Sequence, residues 1–169
     1  MKKGFFIKSS LLSVAILSGS AGIINATIPK ISENFPNIST TSIELLSTIP
    51  SITLLIVMLL GEAMFKKVPK KYLILLGIAL VAISGVLPIM FEAYFVLFLS
   101  RLILGIGLGL FSNSTVTLVT EIFSKEDQGK MLGYRAALTS IGGAVLVIVG
   151  NSLSTIRWNY IFLAYTVAI

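Results

Sequence analysis

Apolar positions in this chain are not spaced as stripes; they run together in blocks. Charge-free stretches cover Ser9 to Pro29, Leu45 to Gly61 and Tyr72 to Phe91. Two further apolar blocks, about Ala93 to Thr120 and about Met131 to Ile156, carry Arg101 and Arg135. Blocks of this length predict membrane-spanning helices rather than amphipathic helices that bury one face. At about 1.5 Å per residue Leu45 to Gly61 is roughly 26 Å long, just enough for the hydrocarbon core. Pro50, near its start, is expected to kink that helix because proline removes one backbone donor. A sixth block opens at Trp158 and runs to Ile169.

The connections orient these spans. Between Gly61 and Lys71 the chain places Lys66, Lys67, Lys70 and Lys71 together, directly between two apolar blocks. That is the pattern of a helix hairpin whose turn lies in the cytoplasm. Lys30 to Glu44, with Pro36, Asn37, Ser39 and Thr40, reads as a first outer loop. Glu121 to Arg135 reads as a second inner connection, and Arg157-Trp158-Asn159-Tyr160 as an outer interface with aromatic rings at headgroup level. On this topology Lys2, Lys3, Lys8, Lys66, Lys67, Lys70, Lys71, Lys125, Lys130 and Arg135 are inside, and Lys30 and Arg157 are outside. Arg101 is the one remaining basic residue of thirteen, and it lies within the membrane. The bias predicts a multi-pass protein of the cell (inner) membrane with a cytoplasmic N-terminus. The basic head followed by Ser9 to Pro29 also resembles a secretory signal, with Ser18 and Ser20 near a cleavage position. The spans that follow favour an uncleaved first helix, whose Gly19, Ala21, Gly22 and Ala26 would admit a close neighbour.

Composition agrees with a bilayer. The chain is 56% hydrophobic and 12% charged, with a mean hydropathy of +0.99. A soluble domain carries about 25% charge, so too few polar groups remain here to coat a water-facing surface. The net charge of +6 sits in the connections, which argues for topology and against nucleic acid as a partner. Cysteine and histidine are both absent, so no disulfide framework and no Cys or His metal site can be built, and no cofactor is implied. The acids Glu33, Glu44, Glu92, Glu121, Glu126 and Asp127 show no paired spacing for catalysis, and the sequence is not that of an enzyme.

Two local patterns resemble the major facilitator superfamily. The first is Gly61, Lys66, Lys70 and Lys71 in the loop between helices two and three. In that family the loop holds a glycine, an acid, a basic residue, a second glycine and a basic pair. Here Phe65 replaces the acid and Val68 the second glycine. The family's acid and bases form ion pairs that steady the outward-facing state, so the resemblance implies a gating role in which the acid is either lost or moved to another carboxylate, Glu62 or Glu121; the lysines alone also read as a topological signal with no gating role. The second pattern is Arg101, Gly105 and Gly107 in helix four, where Leu104 stands in place of the family's glutamine. The resemblance implies a role for Arg101 in proton transfer or in orienting its helix. The residues alone also allow snorkelling of Arg101 to the interface and plain close packing at the glycines. A third, helix-five pattern of drug–proton antiporters is matched at Gly142 and Gly150 but departs at Leu146, Val147 and Asn151. The resemblance covers nearly the whole chain.

The expected fold is all-α: a polytopic membrane helix bundle, the N-terminal half of a major facilitator transporter, with five spans and a truncated sixth, over 1–169 as one bundle. From Trp158 to Ile169 a helix reaches only about 18 Å, short of a core of about 30 Å, so the sequence is expected to be a fragment whose C-terminal half is missing. Such transporters bind substrate near the midplane, between inverted repeats. Polar residues at that depth make Asn25, Ser112, Asn113 and Thr115 the expected substrate cavity for a small molecule, probed from both sides of the lipid bilayer. Each also has a bland use, in bonding its own helix backbone or a neighbouring helix. The expected activity is secondary transport, export of small hydrophobic or sugar-like molecules by alternating access, with proton coupling left open because no acid falls inside a span. The alternatives are a membrane enzyme and a truncated, non-transporting membrane scaffold with Glu121 to Arg135 as its partner surface.

Overall fold

The computed structural model describes residues 18–64 and 68–163. Among them are five α-helices: α1 (Ile28–Asn34), α2 (Thr40–Met64), α3 (Lys70–Met90), α4 (Tyr94–Ile122) and α5 (Lys125–Ser154). Two 3-10 segments, Gly19–Thr27 and Trp158–Phe162, precede α1 and follow α5. The last four α-helices are long and apolar enough to cross a membrane. The basic head and the start of the first span lie outside the described residues, as do Phe65, Lys66, Lys67 and the chain beyond 163.

The helices begin and end where local chemistry dictates. Ser39 Oγ accepts the Ser42 amide at 3.2 Å, so α2 starts at Thr40, five residues before its charge-free block. Its polar first turn was expected to be loop. Ser124 caps α5, accepting the Asp127 amide at 3.4 Å. Much of the expected inner connection, Glu121 to Arg135, is therefore helix, and the turn itself is only Phe123 and Ser124. Pro69 stands immediately before α3, where its fixed φ and missing donor cost nothing. Pro50 lies inside α2, as expected. The first span is not a uniform α-helix. Gly19–Thr27 is 3-10, narrower than an α-helix at about 2.0 Å rise per residue. That narrowness suits Gly19, whose added Cβ would fall 2.4 Å from the Thr139 carbonyl oxygen of α5.

α4 is the most buried of the four long helices and α5 the least. α4 packs chiefly on α3 and α2, while the first span packs chiefly on α5. Backbone contacts set the spacing. A Cβ on Gly105 would lie 2.5 Å from the Pro50 carbonyl oxygen, and one on Gly107 would lie 2.7 Å from that of Gly77. The two glycines thus seat α4 against α2 on one face and α3 on another. Away from these seams Ile52, Leu55, Ile56 and Leu59 of α2 and Ile141, Val145 and Ile148 of α5 are exposed. Apolar residues on the outside at helical spacing suit hydrocarbon rather than water.

Candidate functional site

Among the described residues Arg101 is the charged group that the fold buries completely. It sits about two turns into α4 and is fully buried. Its guanidinium carbon lies 4.8 Å from the centroid of the Phe162 ring, in the 3-10 turn after α5. A desolvated cation over an aromatic face is worth on the order of 2 kcal/mol. The side chain is enclosed by the helices around it, in contact with the Phe162 ring. Gly105 and Gly107 serve the helix packing just described. They form the seat on which α4 carries Arg101.

The aromatic surroundings extend outward from Phe162. Trp158 meets Phe162 edge-on at 6.4 Å, Phe35 meets Trp158 at 5.7 Å, and Tyr94 meets Phe35 at 6.4 Å. Tyr94 also donates its hydroxyl to the Ser42 carbonyl at 2.8 Å, tying α4 to α2. At the same end Lys30 donates to the Ser154 carbonyl at 2.9 Å and to its hydroxyl at 3.0 Å. Ser154 is the last residue of α5, so the ammonium meets the carbonyl end of that helix, where positive charge is favoured. Glu92, in the short turn before α4, accepts from Arg157 Nη2 at 2.6 Å and from Asn159 Nδ2 at 3.0 Å. Sequence reasoning did not connect Lys30 with Ser154 or Glu92 with Arg157 and Asn159. The only signal was an acid and a cation assigned to the same side.

At the opposite, basic end of the bundle Lys70 pairs with Glu121. Lys70 opens α3 and Glu121 lies in the last turn of α4, so the pair closes the mouth of that hairpin. Glu121 was one of the two acids expected to replace the missing loop acid; the side chain of the other, Glu62, lies outside the described residues. Lys71 is exposed, Gly61 is buried, and Lys66 lies outside the described residues.

The four residues of the expected cavity fall into two packing units. Asn25 is exposed on the first span, against α5. Ser112 and Thr115 are buried and Asn113 half-buried on α4. Thr115 donates to the Phe111 carbonyl at 2.6 Å, and Ser114 and Thr117 likewise bond carbonyls one turn back. Those hydroxyls are satisfied within their own helix. Of the four residues of the expected cavity, the two amides, Asn25 and Asn113, are not held in such bonds.

The sequence matches the family description Major Facilitator Superfamily over residues 10–169. The chain belongs to this superfamily. It is also 31% identical over 107 residues to an uncharacterized MFS-type transporter, EfpA, of Mycobacterium tuberculosis, and equally so in two strains. That alignment covers 63% of this chain and 20% of the relative, so the matched stretch spans a fifth of the relative's length. The protein is accordingly a multi-pass membrane protein of a transporter family, with an all-α bundle.

Proposed function

We propose that the chain is the N-terminal bundle of a secondary transporter that exports small hydrophobic or sugar-like molecules by alternating access. The observation that carries this reading is the family match joined to the Lys70–Glu121 pair at the basic end. That pair supplies the kind of ionic tie expected of the loop, with its acid moved to the end of α4. The N-terminus and the basic end then face the cytoplasm of the cell membrane, and the Glu92 end faces outward. A second bundle of the same transporter completes the central site. Asn25 and Asn113 offer donors and acceptors to substrate, and Arg101 is the charge through which a driving ion is coupled. Gly61, Lys66, Lys70 and Lys71 belong to the inner gate.

The test uses the natural protein in everted membrane vesicles with an imposed pH gradient, offered ethidium and a radiolabelled disaccharide as probes. Energised accumulation of one probe, reduced by Arg101→Ala at unchanged membrane insertion, is the expected result. Accumulation of neither probe above empty vesicles overturns the export reading. Accumulation unaffected by Arg101→Ala overturns the coupling role while leaving export standing.

A further inference from the structure

We propose that Glu92 is a positioning residue: by holding Arg157 and Asn159 it keeps the Phe162 ring against Arg101. This inference stands apart from the transport reading, because it concerns how the buried arginine is held.

Glu92 belongs to the turn between α3 and α4, the single stretch of extended chain that joins them at this end. One of its oxygens, Oε1, takes both contacts, from Arg157 and from Asn159. Both donors lie at the start of the 3-10 turn Trp158–Phe162. A 3-10 helix has three residues per turn, so residues three apart eclipse one another. Asn159 and Phe162 are three apart and therefore share a face. Asn159 rests on Glu92 and Phe162 rests on Arg101. Glu92 and Arg101 in turn bracket the first two turns of α4. The 3-10 turn is thus pinned to one helix at two heights.

Burial shows that the pinned turn is committed to this place. Asn159, Ile161 and Phe162 are all fully buried. Asn159 spends its amide NH2 on Glu92, and its Oδ1 finds no hydrogen-bond partner among the described residues. An amide buried with an orphaned acceptor is held by its donor bond. Glu92 itself stays half-exposed, at 44%. The clasp therefore connects a surface carboxylate to a wholly buried arginine through one turn of helix.

Trp158 is the one tryptophan in the sequence, and its indole lies between Phe35 and Phe162. Its fluorescence reports the clasp directly, with the Trp158→Phe form supplying the background to subtract. The measurement is made on the natural protein in lipid nanodiscs. Glu92→Gln is expected to red-shift the Trp158 emission and to raise its quenching by iodide, and Arg157→Gln to do the same. The exchange Glu92→Arg with Arg157→Glu is expected to restore both signals, since the ion pair re-forms and the Asn159 Oδ1 can then accept from the new cation. Singles that leave emission and quenching unchanged overturn the proposal, as does an exchange that stays as exposed as the singles. Should Glu92→Gln fail to insert, Arg157→Gln carries the same criterion from the other partner. The link to Arg101 is read separately by moving the indole with Phe162→Trp in the Trp158→Phe background. There Glu92→Gln is expected to shift emission in the same sense as Arg101→Gln. A shift with Arg101→Gln and none with Glu92→Gln shows a clasp that does not position the arginine, and overturns the inference.

Discussion

Replacing Gly105 by alanine tests the packing that carries the arginine. The added Cβ would lie 2.5 Å from the Pro50 carbonyl oxygen, 2.7 Å from Thr53 Cβ and 3.0 Å from Pro50 Cα. Two of these atoms belong to backbone, so no flexible side chain can swing aside. α2 and α4 must separate, at an overpacking cost of about 1–3 kcal/mol. Alanine also favours helix over glycine by roughly 0.5–1 kcal/mol, which works in the opposite sense. Gly133→Ala isolates that second effect, because a Cβ at position 133 of α5 meets nothing within 4 Å. The stability difference between the two variants then cancels propensity and leaves the overpacking, about 1–3 kcal/mol. The assay is reversible unfolding by sodium dodecyl sulfate from mixed micelles, followed by far-ultraviolet circular dichroism. Gly105→Ala is expected to be less stable than Gly133→Ala by that margin. Equal stability, or a more stable Gly105→Ala, refutes the assignment of the α2–α4 seam.

Ser124→Ala removes the cap of α5 and is expected to cost about 1 kcal/mol, seen as faster amide hydrogen exchange in the first turn after Lys125. Tyr94→Phe deletes the bond to the Ser42 carbonyl and is expected to cost about 0.5–1.5 kcal/mol in the same detergent titration. Lys70→Glu should leave stability within about 1 kcal/mol, since its partner Glu121 is more than half exposed. It should nevertheless raise thiol labelling of a cysteine introduced at Val68, and Glu121→Lys in the same molecule should reverse that rise.

The spans were readable because a bilayer demands long apolar blocks, and the Gly61–Lys71 connection because charge concentrates in it. Arg101 could be singled out as a charge inside an apolar block. Helix starts were harder. α2 opens at Thr40 and α5 at Lys125, since hydroxyl caps at Ser39 and Ser124 extend helices into polar sequence that hydropathy assigns to loops. The 3-10 form of Gly19–Thr27 was also hidden, because its run of small and apolar residues carries no pattern that marks it off from an α-helix. The least legible part was the lacing at the Glu92 end. Its partners stand far apart in the chain, Lys30 from Ser154 by 124 residues and Asn159 from Glu92 by 67. Single-sequence periodicity has no reach over such separations. The superfamily resemblance carried Arg101 and the loop lysines.

The hairpin of α3 and α4 is joined at one end by the covalent turn through Glu92 and at the other by Lys70–Glu121. Mechanically it is a pair of rods fastened at both tips, with Gly77 and Gly107 bearing on each other between. Sliding along their length is opposed chiefly by the close backbone contact at Gly77 and Gly107, since the exposed ionic pair adds about 1 kcal/mol or less. They can still tilt together as a single stave.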